Sequence, residues 1–374
     1  MESRVRFAIV GCGRVVGNHL DAIRRLPRAT IAAVCDLDAA RAKMYSDTFG
    51  VRWYTNYHEM LVAEQVDVVS IVTPSGMHPR HAVDVMEQHR KHVVIEKPMA
   101  LRLADLDLLH DVAAKTGCRV FPVYQNRYNA AVEKVHAELQ TQALGRLVVG
   151  TVRVRWCRPQ RYYEQSVWRG TWALDGGCLT NQGIHYVDAL VWLLGDVESV
   201  FALKTTALAR VEVEDTLVAS LRFANGALGQ IEVTTAARPE DFEAEISVLG
   251  EQGTAVIGGL ASNRLTVWTP DPGACPRHSE DIPNVYGFGH RPFYRNVVDD
   301  LLDGVPHPIS LADGGRAVRL LNAIYRSTED GAAVRLEAQP ASSLLGRPDP
   351  ELERLFVTPP ADCTRRVPLQ AQRP

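Results

Sequence analysis

The sequence has few of the features that mark secreted, membrane or nucleic-acid-binding proteins. Its seven cysteines are an odd number and never form a CxxC pair, which predicts free thiols rather than a disulfide framework or a structural zinc site. No apolar run reaches the length of a membrane span, and the first residues lack the charged and apolar regions of a signal peptide. A net charge of -3 argues against a nucleic-acid partner. We expect a cytoplasmic protein without membrane or nucleic-acid partners.

A chain of 374 residues exceeds what a single core usually fills, so two domains are expected. Residues 1–125 alternate short apolar strands with helices, which predicts an α/β domain with a doubly wound parallel (Rossmann) sheet. From residue 146 the pattern becomes period-two alternation between glycine turns. Residues 126–337 should therefore form an α+β domain with a large, mostly antiparallel, open-faced sheet, and the amphipathic helix 311–328 should pack back on the first domain.

The end of the chain has a different composition. Residues 338–374 hold seven of the 21 prolines and show little periodicity, which is typical of an extended arm or a disordered tail. Residues 351–356 can form one docking turn. We assign this segment no chemistry.

A glycine loop follows the first strand, at 6–10, and opens a helix. It reads Gly11-Cys12-Gly13-Arg14-Val15-Val16-Gly17. Gly11 permits a tight turn, Gly13 lets the backbone approach a pyrophosphate, and the helix N-terminus supplies amide donors. Val16 departs from the fingerprint, since glycine or alanine is usual there.

The second strand, at 30–35, ends in Asp36, about 20 residues past the glycines. A carboxylate there can bind the ribose hydroxyls of adenosine and would repel a 2′-phosphate, so we predict NAD in preference to NADP. The alternative is that Asp36 only caps the helix predicted over 37–49.

The strand 92–95 is followed by Glu96-Lys97-Pro98, so Lys97 emerges at a strand's carboxyl end, where ligands bind in parallel sheets. A partly dehydrated lysine loses basicity and can transfer a proton. Taken alone, the three residues favour a solvated lysine at a strand end. The preceding strand leads into the loop Thr73-Pro74-Ser75-Gly76-Met77-His78, which we expect to lie over a cofactor, and Pro98 can carry a cis bond.

A second stretch with chemical potential runs from Trp168 to Asp188. Two glycines and then an apolar-periodic run predict a helix entered through a tight loop, with Asn181 and His185 four residues apart on one face. A histidine there can take the proton of an alcohol whose hydride goes to nicotinamide. The alternative is a histidine that only completes the core.

The glycine loop, the Thr73–His78 loop and Glu96-Lys97-Pro98, in that order, resemble the Gfo/Idh/MocA family of sugar and cyclitol oxidoreductases over the whole chain except its tail. The resemblance implies an NAD-dependent enzyme and a homo-oligomer, dimer or tetramer, joined through the open sheet face. The predicted cofactor-binding residues are Gly11, Gly13, Arg14, Val15, Asp36, Thr73, Pro74, Ser75, His78, Glu96, Lys97 and Gln125. No metal is expected.

Within the family, most relatives place an aspartate four residues before the histidine, where this chain has Asn181. The division of labour between Lys97 and His185 therefore stays open. The run Asn-Gln-x-x-His-Tyr-Val-Asp, with Gln125-Asn126-Arg127-Tyr128-Asn129, resembles the UDP-N-acetylglucosaminuronate 3-dehydrogenases of bacterial surface-glycan (lipopolysaccharide) biosynthesis. That branch oxidises the C3 hydroxyl of a UDP-sugar to a ketone, which a partner aminotransferase then aminates.

A diphosphate and a uronate need cations and aromatic faces around them. Arg127, Arg158 and Arg169 are the favoured cations, while alternating arginines such as Arg155 can equally be a solvated sheet face. The loop 286–294 either closes over the nucleotide or staples the helix predicted over 294–302. The predicted substrate-binding residues are Lys97, Arg127, Tyr128, Arg158, Tyr163, Trp168, Arg169, Asn181, His185 and Tyr294; Lys97, His185 and Asn181 are the predicted catalytic residues.

Two other functions fit the same patterns. One is a different enzyme of the family, either a free sugar or inositol dehydrogenase or a reductase of 3-keto sugars in antibiotic biosynthesis. The other is a non-catalytic NAD-binding sensor. The sequence also leaves open whether reduced cofactor is released or reoxidised in place by a 2-oxo acid.

Overall fold

The computed structural model describes residues 3–282 and 284–359, and its first domain is a parallel sheet with helices on both faces. The strand order is β3-β2-β1-β4-β5-β6. The strands are β1 Val5–Val10, β2 Ala29–Cys35, β3 Arg52–Tyr54, β4 Val68–Ile71, β5 His92–Ile95 and β6 Val120–Pro122. The helices are α1 Val16–Arg24, α2 Ala39–Phe49, α3 Tyr57–Ala63, α4 His78–His89 and α5 Leu103–Thr116.

The second domain is built on an eight-stranded sheet of order β13-β12-β11-β7-β10-β9-β8-β14. Its pairs are antiparallel except that β7 runs parallel to β10. The strands are β7 Leu147–Arg155, β8 Val197–Thr205, β9 Thr216–Phe223, β10 Leu228–Thr234, β11 Glu243–Gly250, β12 Gly253–Gly258, β13 Arg264–Trp268 and β14 Val334–Arg335. The helices are α6 Ala130–Gln140, α7 Gln160–Tyr163, α8 Ile184–Leu194, α9 Ala274–Arg277, α10 His290–Asp303, α11 Leu311–Asp330 and α12 Pro350–Arg354. The predicted fold class is confirmed.

Alternation along the strands of the second sheet separates a core face from an outer face. In β9, Leu217, Leu221 and Phe223 are buried, whereas Val218 between them is exposed. The inner face packs against α8, which is apolar on nearly all sides and is buried along most of its length. On the outer face of the described sheet, Val218, Ser220 and Arg222 of β9 are exposed, as expected for a sheet with one face open.

Helix α11 lies at the junction of the two domains. It contacts β8 of the second sheet and also α5 and β6 of the first domain. Two hydrogen bonds tie it there: Tyr124 donates its hydroxyl to the carbonyl of Gly314 (3.1 Å), and Asn322 Nδ2 donates to the carbonyl of Leu101 (2.9 Å).

The described part of the proline-rich segment, 338–359, is in contact with the rest of the fold. Leu345 is buried, and α12 occupies the place of the predicted docking turn. The predicted tail beyond residue 359, including Cys363, lies outside the described residues. Within 3–282 and 284–359, no helix combines the length and the apolar character that a membrane crossing requires.

Candidate active site

A cavity of about 670 Å³ lies between the two domains, at the carboxyl ends of the first sheet's strands. All twelve predicted cofactor-binding residues line it, together with Asn181 and His185 from the second domain. The sheet edge therefore brings together, in one cleft, loops that are far apart in the sequence.

The glycine loop has the shape that a dinucleotide requires. Gly11 has a φ of +99°, and a Cβ there would lie 2.4 Å from the carbonyl oxygen of Val72, so a larger residue does not fit. A Cβ on Gly13 would meet no described atom within 4 Å, which leaves its backbone open to the cavity. With the N-terminus of α1 beginning at Val16, these residues fit a bound pyrophosphate.

Asp36 is held at the cavity wall by backbone amides and does not cap α2. Its carboxylate accepts hydrogen bonds from the amides of Cys12 (2.7 Å) and Asp38 (2.8 Å). The helix cap is Asp38, which accepts from the amide of Ala40. A carboxylate has further lone pairs, so Asp36 keeps acceptor sites for ribose hydroxyls.

The Asp36→Ala variant should narrow the preference for NAD over NADP by at least about tenfold, because it removes the charge that repels a 2′-phosphate. Arg41, whose Nε lies 3.9 Å from Asp36 Oδ1 and 2.9 Å from Asp38 Oδ2, would then face the phosphate with one carboxylate fewer beside it. Kd values for NADH and NADPH and the ratio of kcat/KM values measure the change. Asp47→Ala is the control, because it removes an exposed carboxylate of the same helix that pairs with Lys43 and should leave the ratio unchanged. An unchanged ratio in Asp36→Ala contradicts the assignment.

Lys97 is partly exposed at the cavity wall rather than solvated at the surface. Its Nζ donates to the backbone carbonyl of Asn181 in the second domain (2.8 Å), and the Lys97-Pro98 bond is cis. Burial lowers the pKa of Lys97 below its usual value, although the carboxylates of Glu96 and Asp175 oppose the shift. Burial of this kind makes the ammonium group of a lysine lose its proton more readily than in water.

Glu96 is buried beneath Lys97 and joins the site to two histidines that the sequence reasoning missed. Its Oε1 lies 3.0 Å from His19 Nε2, and its Oε2 accepts from the amide of Lys97 (3.0 Å). Burial acts to raise the pKa of Glu96, but the contacts with His19 and His290 hold it well below the usual value. An ionised Glu96 therefore lies next to the ammonium group of Lys97.

Asn181 and His185 reach the cavity through a π-helical turn, Leu179–Gly183, that leads into α8. Such turns frequently occur at functional sites. His185 Nε2 lies 3.2 Å from Gln125 Nε2, and its Nδ1 has no hydrogen-bond partner in the described part of the chain. Burial, with the charge of Lys97 adding to it, lowers the pKa of His185 to about 3, so the imidazole is neutral at pH 7.

Asp175 is a member of this site that the sequence reasoning did not single out. It is buried, and its two oxygens accept from the amide of Gly170 (2.8 Å) and from Asn181 Nδ2. Because the nitrogen of the Asn181 amide faces this carboxylate, its oxygen is the atom left for the cavity. Burial raises the pKa of Asp175 to about 6 against these hydrogen bonds. The only sequence signal was its place just before Gly176-Gly177.

The glycine at 177 allows the loop to pass directly over a second buried carboxyl group. A Cβ on Gly177 would lie 1.8 Å from Glu214 Oε2. Glu214 Oε1 accepts from the amide of Leu179 (3.2 Å) and from the hydroxyl of Tyr325 (2.8 Å). This contact fixes where the π-helical turn begins, and so where Asn181 lies.

Three guanidinium groups surround the ring of Tyr162 in the cavity. The Cζ atoms of Arg14, Arg158 and Arg169 lie 5.7, 5.6 and 4.5 Å from the ring centroid. Arg158 pairs with Asp241 (2.8 Å), whereas Arg169 Nε has no hydrogen-bond partner among the described residues. This cluster, with Trp168 also on the cavity wall, has the charge and the aromatic surface to hold an anionic sugar nucleotide.

Four predicted substrate residues lie outside the lining of this cavity. Arg127 is buried in a two-bond ion pair with Asp188. The other three use their hydroxyls inside the fold: Tyr128 with Asn296, Tyr163 with Thr235, and Tyr294 with His19 and Ser70. These side chains position neighbouring elements and are not proposed as substrate ligands.

The structure also decides between the alternatives that the sequence left open for Arg155 and for the loop 286–294. Arg155 pairs with Glu232 and Glu243 on the outer sheet face, so the solvated-face interpretation applies to it. Helix α10 begins at His290, four residues before the predicted start at 294. The two ends of the loop 286–294 lie in different places. Tyr286 lines the cavity, whereas Tyr294 lies in the core.

Comparisons with known proteins agree with this geometry. Residues 5–124 match the oxidoreductase family with an NAD-binding Rossmann fold, and residues 132–256 match the GFO/IDH/MocA C-terminal domain. The WlbA dehydrogenase from Bordetella pertussis, crystallised with NADH and UDP-GlcNAcA, is 39% identical, with a TM-score of 0.85 over 90% of this chain and 98% of that one. The Chromobacterium violaceum WlbA dehydrogenase, with the same ligands, is 37% identical, with a TM-score of 0.82 over 90% and 96%. Myo-inositol 2-dehydrogenase from Thermotoga maritima is 24% identical over 89% of this chain and 99% of its own.

Proposed function

The chain belongs to the Gfo/Idh/MocA family of NAD-dependent oxidoreductases, and we propose that it oxidises the C3 hydroxyl of UDP-N-acetylglucosaminuronate to a ketone. The observation that supports this substrate best is the group of three arginines around Tyr162, in the same cavity as Lys97 and His185. A free polyol has no charge for these guanidinium groups to bind, whereas a nucleotide diphosphate and a carboxylate do.

The proposed chemistry divides between cofactor and protein. NAD, when bound, supplies the acceptor for the hydride that leaves C3. Lys97 takes the proton of the C3 hydroxyl, the Asn181 amide oxygen accepts a hydrogen bond from a sugar hydroxyl, and His185 holds the reacting oxygen through its unpartnered Nδ1. The protein's contribution is alignment and electrostatics.

Lys97 is the better candidate for the base. Burial lowers its pKa below the ordinary lysine value, which makes the neutral, proton-accepting form easier to reach. The pKa of His185, at about 3, is too low for an efficient proton acceptor at pH 7. We therefore assign the proton transfer to Lys97 and a hydrogen-bonding role to His185.

The oligomer and the pathway are part of the same proposal. Phe201, Leu203, Val218 and Leu228 are large apolar side chains exposed on the outer face of the second sheet, and Leu203 and Val218 are directly opposed on β8 and β9. A second copy of the chain would cover this face and give a dimer or a tetramer. The product ketone would be the substrate of an aminotransferase in the cytoplasm, in lipopolysaccharide biosynthesis.

A substrate screen tests the proposal. NADH formation is measured with UDP-N-acetylglucosaminuronate, UDP-N-acetylglucosamine, glucose 6-phosphate and myo-inositol at equal concentrations. The uronate should give the highest kcat/KM, by at least about tenfold over the same sugar nucleotide without the carboxylate. Faster oxidation of the inositol would support the other sugar or cyclitol dehydrogenases instead. Cofactor binding without turnover on any of these substrates would favour a sensor.

A further inference from the structure

We infer that the C-terminal arm, defined as residues 339–359, forms part of the NAD-binding site by crossing over the adenosine half of the dinucleotide. Neither domain match includes this segment. The inference depends on NAD binding alone and not on which sugar is oxidised.

The arm is first anchored at the domain junction. The amide of Ser342 donates to Asn322 Oδ1 on α11 (3.2 Å), and the amide of Gly346 donates to the carbonyl of Trp172 (2.9 Å). Gly346 has a φ of +72°, and a Cβ there would lie 2.6 Å from Arg102 Cγ. These contacts direct the chain from the second domain onto the first.

The arm then packs beside the cavity. Leu352, Phe356 and Val357 contact a small buried cluster of Met77, Ala173 and Leu174, which come from the two domains. Asp349 caps the short helix α12 by accepting from the amide of Leu352 (3.0 Å). The residues that follow α12 are therefore held at the boundary between the two domains.

A hydrogen-bond chain connects the arm to the cofactor loop. His81 Nε2 lies 3.0 Å from the carbonyl oxygen of Phe356, and His81 Nδ1 lies 2.9 Å from Thr73 Oγ1. Burial lowers the pKa of His81 to about 4, so the ring is neutral at pH 7. A neutral ring that donates from Nε2 to the Phe356 carbonyl accepts from the Thr73 hydroxyl at Nδ1, which satisfies both contacts.

The path of the arm follows from where it ends. It leaves His81, on the helix after β4, and reaches Asn56, whose Nδ2 donates to the carbonyl of Pro359 (3.0 Å). Asn56 caps α3, the helix after β3. The ring of Tyr57, the next residue, lies 5.6 Å from the ring of His81, so the arm covers the neighbouring N-termini of α3 and α4. Tyr57 and His81 line the same cavity as Asp36 and the glycine loop, which places the arm at the adenosine side of the cofactor site.

The arm also contributes side chains to the cavity. Leu355, Phe356 and Thr358 line it, and Leu355 is 58% exposed. Leu37 and Met44, on the Asp36 side of the same cavity, are likewise exposed, at 46% and 52%. Exposed leucine and methionine side chains around one pocket offer an apolar surface to a flat ring such as adenine. Cofactor exchange would then require part of the arm to move.

The test compares two truncations by the dissociation rate of NADH, measured by stopped-flow fluorescence without sugar. Ending the chain after Gly346 keeps Leu345 and the junction contacts but removes the part over the cavity. It should accelerate NADH dissociation at least about tenfold. Ending the chain after Pro359 removes only residues 360–374 and should leave the rate within twofold.

A point substitution makes the same test in the full-length chain. Leu355→Glu should weaken NADH binding about threefold to tenfold and raise its dissociation rate, because it places a charge against the adenine ring and the cofactor phosphates. Val305→Glu is the matched control, since Val305 is 57% exposed and lies outside the cavity lining. Unchanged NADH dissociation in Leu355→Glu overturns the inference, whether or not the shorter truncation folds. A changed rate upholds it even if UDP-sugars are not substrates.

Discussion

The Lys97→Met variant is expected to lose about 10³-fold in kcat while its Kd for NAD changes less than about tenfold. Lys97 is the group that takes the hydroxyl proton in the proposed reaction, and its Nζ is held over the cavity by the Asn181 carbonyl. Methionine fills a similar space without a base. Steady-state kinetics, together with calorimetric titration of the cofactor, separate the two effects.

The control for this variant is Lys97→Arg, which keeps the positive charge but does not release a proton near neutral pH. It should be nearly as slow as Lys97→Met. In the unmodified protein, oxidation should rise with pH as Lys97 loses its proton. It should level off below the ordinary lysine pKa of 10.5, because burial lowers the pKa of Lys97. Turnover near normal in Lys97→Met would contradict the assignment.

The His185→Asn variant should lower kcat by about 10²-fold, again with a much smaller effect on NAD binding. His185 Nδ1 is a buried polar atom without a partner among residues 3–282 and 284–359, and the proposed substrate oxygen is its partner in the reaction. The loss should be smaller in the Lys97→Met background than alone, because groups that act on one atom are not additive.

The pH dependence offers a separate check on His185. Its pKa is lowered to about 3, so the imidazole is neutral throughout the range from pH 5 to 9. If the rate of the unmodified protein falls as the pH drops through 6.5, the His185→Asn variant should show the same fall. If such a limb is present and is lost in the variant, the imidazole is protonated during the cycle and the roles of the two residues are reversed.

Much of the first domain was predictable because its elements are local. The strand predicted at 92–95 matches β5 His92–Ile95. The motifs after β4 and β5, at 73–78 and 96–98, are each a few consecutive residues, so they could be recognised without knowledge of the fold. In the second domain, the alternating runs 152–156, 200–206, 217–223, 227–234, 243–249 and 265–268 predict six of the eight observed strands. The two that were missed are β12, a short strand that begins and ends in glycine, and β14, which has only two residues.

The candidate site was less predictable where it depends on long-range partners. Arg127 and Asp188 are 61 residues apart, and no local pattern indicates that the arginine is used inside the fold. Asp175 was missed because its importance comes from the Asn181 amide, six residues on, across a turn that only the π-helical geometry brings close. An extended arm was one of the two predictions for the proline-rich segment, but its position beside the cavity was not predictable, because that position depends on the distant residues His81 and Asn56.

The contact between Gly177 and Glu214 also restricts how this sequence can diverge over evolution. With 1.8 Å between a new Cβ and a carboxyl oxygen, alanine or any larger residue at 177 requires the Glu214 carboxyl group to move and so disturbs its hydrogen bonds. Shortening Glu214 first would leave the amide of Leu179 and the hydroxyl of Tyr325 without their acceptor. The two positions should therefore covary among homologues, exchanging as a pair or staying unchanged together.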